Sequence, residues 1–144
     1  MRVADERTQG RVVYDHPLMR LTKAVLALIL CAVAAGCGSN LRVTTIQLGR
    51  SVNADHSVGS HTTRFAPSDT VYVSVLTEGV GSGTIQVRWQ YEGQVVGEPA
   101  KDVRGAAATE FHLQNAGGFP PGDYTVEALL NGQSAGSRSF RVEK

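Results

Sequence analysis

Apolar and polar positions alternate along most of the chain beyond residue 42. The plainest case is Thr84 to Glu92, where Ile85, Val87, Trp89 and Tyr91 alternate with Gln86, Arg88, Gln90 and Glu92. A period of two sends one set to a buried face and the other to water, the pattern of a strand in a one-sided sheet. The same period, punctuated by turn residues, predicts strands over Val43 to Leu48, Thr70 to Thr77, Thr84 to Tyr91, Gln94 to Gly97, Thr109 to Gln114, Tyr124 to Asn131 and Ser137 to Glu143. A further short edge strand is expected between Ser60 and Phe65, and no helix is expected in this part of the chain.

The last two strands read as a hairpin. Tyr124, Val126, Ala128 and Leu130 alternate, Asn131-Gly132 is a strong two-residue turn signal, and Phe140 and Val142 share one face of the return. Gly136 interrupts that return, so a longer loop is the other reading of the same residues. About seven short strands with turn signals every 8 to 12 residues predict an all-β antiparallel sandwich.

Ahead of this pattern lies a different one. Arg20 and Lys23 precede twelve uninterrupted apolar residues, Ala24 to Ala35, which is the charged-then-apolar layout of an export signal. A spanning helix needs about 20 apolar residues, so a permanent transmembrane segment is not the expectation. Residues 1–18 mix charges of both signs without an apolar period and read as an extension ahead of a start at Met19, or as a long charged leader. The expected division is residues 1–18 as this extension, 19–36 as signal peptide, 37–42 as modified cysteine and tether, and 43–144 as the sandwich.

The apolar run closes in Ala34-Ala35-Gly36-Cys37, which resembles the lipobox of bacterial lipoproteins, with Ala34 where that family usually carries Leu. The resemblance implies cleavage between Gly36 and Cys37, a diacylglyceryl group on the Cys37 sulfur and an acylated new amino terminus. The partner it implies is membrane lipid, held through acylated Cys37. Each buried methylene is worth about 0.8 kcal/mol, so two or three acyl chains anchor far more firmly than one. Cys31, preceded by Leu28, Ile29 and Leu30, reads as an apolar filler of the signal. Gly38 and Ser39 follow Cys37 with no Asp. In an organism with two membranes, the family's sorting pattern then implies the outer one, facing the periplasm.

Composition narrows the function classes. The chain has 144 residues, 42% apolar and 19% charged, which argues against a disordered chain. Fourteen Lys and Arg against thirteen Asp and Glu, with no block of one sign, argue against an electrostatic grip on nucleic acid. From Cys37 onward, 108 residues carry nine Lys or Arg, ten Asp or Glu and a single cysteine, so the processed domain is expected to stand on its core without an internal disulfide.

Candidate chemistry is sparse. Asp55, His56 and His61 offer carboxylate and imidazole, the usual metal ligands and proton carriers, but their spacing fits no ligand motif and their surroundings are rich in Ser, Gly and Asn. They are expected to be exposed loop residues, and His112, between Phe111 and Leu113, a solvent-facing strand residue. No Ser lies in a G-x-S-x-G turn, and Asp102, Glu110, Asp123 and Glu127 are scattered. Gly79-Val80-Gly81-Ser82-Gly83 is not a phosphate loop, because no Lys-Ser or Lys-Thr follows and a strand comes next. None of these features calls for a metal or a cofactor. Trp89 and Tyr91 are in phase with Ile85 and Val87, which points them into the core rather than onto a stacking platform. In Gly117-Gly118-Phe119-Pro120-Pro121-Gly122, Phe119 reads either as a plug in the end of the sandwich or as a partner contact.

Gly122-Asp123-Tyr124-Thr125-Val126 resembles the tyrosine corner of immunoglobulin-like domains. The resemblance implies that the Tyr124 hydroxyl bonds to backbone just upstream. It also implies that Val126 takes the place of the second cysteine, with Val73 or Val75 opposite, and that Trp89 is the core tryptophan. The run from Phe65 to Val142 is similar to the immunoglobulin-like module of exported bacterial lipoproteins of unassigned role. The function so implied is a non-catalytic binding or assembly module anchored in the cell envelope. The alternative is a small envelope hydrolase or metal-binding protein using His56, His61 and Asp55.

Overall fold

The computed structural model describes residues 39–144, so the leader, the cleavage position and Cys37 lie outside the described residues. The described residues form nine strands and no helix: β1 (Arg42–Gly49), β2 (Arg64–Phe65), β3 (Val71–Glu78), β4 (Ser82–Tyr91), β5 (Gln94–Gly97), β6 (Ala100–Arg104), β7 (Ala107–Leu113), β8 (Gly122–Leu130) and β9 (Gln133–Val142). They make two sheets, β1-β3-β7 and β2-β9-β8-β4-β5, with β6 also paired to β4. Every pairing is antiparallel except that of β2 with β9. The described residues form an immunoglobulin-like β-sandwich.

The inward faces follow from the period of two. Ile85, Val87 and Trp89 of β4, Val71, Val73 and Val75 of β3, and Val126 and Ala128 of β8 are fully buried in one cluster. Phe140 lies at its centre, edge-on to Phe65 at 5.4 Å and to Trp89 at 6.2 Å, and stacked on Tyr124 at 5.1 Å. Such aromatic pairs add to the burial of their area, which suits a core that has no disulfide. Tyr91, at the end of β4, is only partly buried and packs against the cluster from outside.

The strands depart from expectation in four places. β6, just after Pro99, was not among the expected strands. The structure keeps the line going on an edge, where proline is tolerated: β5 pairs with Trp89–Tyr91, β6 with Ser82–Gln86, and Val87 N–H donates to Pro99 O (2.9 Å) between them. The returning strand of the last hairpin begins at Gln133 rather than Ser137, because Asn131 (φ 51°) and Gly132 (φ 79°) form a two-residue turn. Gly136 does not end that strand: it pairs with Ala128, and because the next pair is Leu129 with Ser134, Ala135 of β9 is the extra residue of a bulge beside it. Finally, the expected tether to residue 42 ends sooner, since Leu41 is buried in the core cluster and Arg42 opens β1.

Asp55, His56 and His61, expected to be exposed loop residues, are exposed. The segment that carries Asp55 and His56 folds back over the outer face of the small sheet, through bridges Gly49 to His61 and Val52 to Val58. Val58 is buried and its N–H donates to Gln47 Oε1 (3.0 Å). Beneath the flap, Ser74 is 0% exposed and donates to the carbonyl of His56 (2.7 Å).

Candidate functional site

The two ends of the sandwich differ in chemistry. At one end the β3–β4 turn, Gly79-Val80-Gly81, meets the incoming chain. Ser39 Oγ donates to Val80 O (3.2 Å), and Val80 N–H donates to Asn40 Oδ1 (2.6 Å). The β6–β7 turn joins them through Gly105 N–H to Gly81 O (2.9 Å). Asn131 adds a hydrogen bond from Thr84 N–H to its Oδ1 (2.9 Å).

At the other end, Tyr91, Val96, Leu113, Phe119, Pro120 and Tyr124 line a recess of about 270 Å³ together with Gln114 and Asn115. The proline-rich turn before β8 builds it. Tyr124 Oη donates to Pro120 O (2.9 Å) and Tyr91 Oη to Pro121 O (3.2 Å), while the two rings lie 4.6 Å apart. Phe119 is 6% exposed, edge-on to Tyr124 at 6.0 Å, and its N–H donates to Pro67 O (2.8 Å). Phe119 is therefore the plug of the sandwich end, and the reading of its ring as a projecting partner contact is corrected: the fixed turn folds it inward.

Burial, then the neighbouring Tyr91 and the charge of Glu92, push the Tyr124 hydroxyl above its ordinary pKa; burial and Glu92 do the same to Tyr91. Both rings are neutral donors near pH 7, and the recess is lined by no carboxylate, imidazole or amine. It can hold apolar or aromatic matter, and it offers no general base.

Several of the other ionisable groups pair with one another on the surface. Arg141 grips Asp123 through two bonds of 2.7 Å, and Arg88 lies between Glu98 (2.6 Å) and Glu127 (3.2 Å). Burial works against ionisation of Glu110, but the His112 hydrogen bond (2.9 Å) and the Lys101 charge outweigh it and hold its carboxyl below the ordinary value. His112 is exposed, as its strand position implied. Its pairing with Glu110 was overlooked in the sequence, although residues two apart on a strand share a face.

The structure does not gather Asp55, His56 and His61 into a site. Asp55 accepts from Ser57 N–H (3.0 Å) and Ser57 Oγ (2.6 Å), which lowers its pKa and shapes the turn of the flap. His56 sits at φ 66° and contributes its carbonyl to Ser74. Among the described residues no group of three His, Cys, Asp or Glu could hold a metal ion. Trp89 and Val126 are fully buried beside each other in register, and the Trp89 indole N–H has no acceptor among the described residues.

No family model matches the chain, and no curated protein matches it significantly. Among solved structures it is similar to an immunoglobulin-like protein from Pseudomonas aeruginosa, at 13% identity and a TM-score of 0.54, over 75% of this chain and 100% of that one. At that identity the likeness shows the fold alone. An alkylpurine DNA glycosylase from Pseudomonas fluorescens matches at 16% identity and a TM-score of 0.45, over 90% of this chain and 36% of that one. A β-glucosidase from Listeria innocua matches at 11% and 0.46, over 74% and 16%. Neither of these two bears on what this chain does.

Proposed function

We propose that the chain is a lipid-anchored lipoprotein of the cell envelope whose immunoglobulin-like sandwich is a non-catalytic binding or assembly module. The observation that carries this reading is Ala34-Ala35-Gly36-Cys37 at the end of twelve apolar residues, just ahead of the sandwich. An export signal, a small-residue cut site and a thiol at the cut are the three requirements for moving a folded domain onto a membrane by acyl chains. Gly38 and Ser39 after the cysteine favour the outer membrane, facing the periplasm, in an organism that has two.

The chemistry of the sandwich supports a binding or assembly role. Its end recess is neutral and aromatic, and most of its carboxylates are held in surface ion pairs or, for Asp55, in turn-forming hydrogen bonds. Intact mass on protein from its native host tests the anchor: loss of residues 1–36 and added acyl mass are expected, and Cys37→Ser is expected to leave an uncut, unlipidated precursor. Normal lipid labelling of Cys37→Ser would refute the lipobox. Replacing His56 and His61 together by Ala is expected to leave melting and partner capture unchanged; abolished metal uptake or hydrolysis would favour the metal or hydrolase reading instead.

A further inference from the structure

We propose that the Gly79-Val80-Gly81 turn is the face that rests on the lipid surface, and that the chain leaving Cys37 is latched to this turn so that the sandwich stands in one orientation. The inference rests on the lipoprotein reading and adds to it a contact and a direction.

The latch consists of the Ser39 and Asn40 hydrogen bonds to the two backbone groups of Val80. The turn is shaped to receive it. Gly79 (φ 99°) and Gly81 (φ 110°) lie in the left-handed region, and a Cβ on Gly79 would collide with the Asn40 carbonyl while one on Gly81 would collide with Ser39 Oγ. Leu41, next in line, is buried, so the chain is held from Ser39 onward. Only Gly38 separates Ser39 from Cys37. Two residues span at most about 7 Å, so the acylated cysteine cannot stray far from this end of the domain. At most one residue, Gly38, is left as a linker between the latch and the anchor.

What this end presents to the lipid fits. Val80, between the two glycines, is 68% exposed, more than any other large apolar residue among those described. The nearby charges balance: Arg42 pairs with Glu78 (2.8 Å), and Asp102 and Arg104 lie on β6 opposite Thr84 and Ser82. The contact therefore depends on the anchor and the valine rather than on anionic headgroups. β3 leads away from this end for eight residues, about 26 Å at 3.3 Å each, to the turn around Ser68. The aromatic recess, tied to that turn by Phe119 N–H to Pro67 O, thus faces away from the membrane.

The test uses the full lipidated protein in vesicles of phosphatidylethanolamine with a minor share of phosphatidylglycerol, their acyl chains brominated to quench indole fluorescence. Val80→Trp and Ser68→Trp place a new indole at either end; both positions are exposed, and Trp89 supplies the same background in each. Quenching several-fold stronger for Val80→Trp, insensitive to added salt, is expected. Adding Ser39→Ala and Asn40→Ala is expected to bring it down towards the Ser68→Trp level, with acyl mass and vesicle flotation unchanged. Acylated, floating protein in which Val80→Trp is quenched no more than Ser68→Trp overturns the orientation alone. A chain that carries no acyl mass overturns the lipoprotein reading, and this inference with it.

Discussion

Tyr124 donates its hydroxyl proton to the carbonyl of Pro120, four residues upstream, at 2.9 Å. The bond closes the turn that carries Phe119 and leads into β8. Tyr124→Phe keeps the ring and its stacking on Phe140 but leaves the carbonyl without that partner. A loss of about 1 kcal/mol is expected, read from the midpoint of urea unfolding at unchanged slope.

Burial raises the Tyr124 pKa, so folding favours the protonated phenol. The corresponding stability is fully present below the unfolded value of about 10 and is lost as pH rises through the folded value. Asp69 and Asp123 act at the other limit. The hydrogen bonds of Arg50 and Arg141 hold their carboxyls below the ordinary 3.8, so that stability is present above 3.8 and lost as pH falls further. A melting curve series should show a plateau between these limits, with an alkaline limb that is shallower in Tyr124→Phe.

Gly132 has φ 79° and nothing within 4 Å of where a Cβ would be. Gly132→Ala therefore tests backbone conformation alone. A cost of about 1 kcal/mol is expected from the left-handed region, seen as a lower melting temperature with an unchanged circular dichroism spectrum.

Ser74 is buried under the flap and bonded to His56 O at 2.7 Å. Ser74→Ala should cost about 1 kcal/mol, since it strands a carbonyl. It should also speed hydrogen exchange at Asn53 N–H and Gly59 N–H, whose acceptors Ser57 O and Ser51 O belong to the same flap.

Trp89 is fully buried and touches Phe140 edge-on. Trp89→Ala should cost roughly 3 to 5 kcal/mol, measured by denaturant unfolding. A mild effect would mean that the ring does not fill the core.

Much of this architecture is legible in the residues because the core-facing positions of the central strands alternate with polar ones. Ile85, Val87 and Trp89 announce themselves as a strand, and Asn131-Gly132 announces its turn, because only a few residue types accept two successive positive φ angles. On the β5–β6 edge, β5 is legible over Gln94 to Gly97 but β6 is not. Pro99 reads locally as a terminator, and only the long β4 beside it shows that pairing resumes at Ala100. Ser74 is hidden for a related reason: its polar side chain fits an outward position, and what covers it is a segment some twenty residues earlier whose Ser, Gly and Asn content reads as open loop. Phe119 could be narrowed to two readings from the sequence, and its direction came from the Pro67 and Tyr124 contacts, which join distant parts of the chain.

The broken line of β5 and β6 has a bearing on how copies of the protein behave when crowded together. An exposed sheet margin invites a neighbour's strand to add on, and repeated addition makes fibrils. Here Val95 and Val96 offer such an invitation over only four residues before Glu98-Pro99 interrupts it, and Lys101, Asp102 and Arg104 lie just beyond. A neighbour reaching that margin meets a stretch too short to hold it and then a run of charge, which guards against polymerisation.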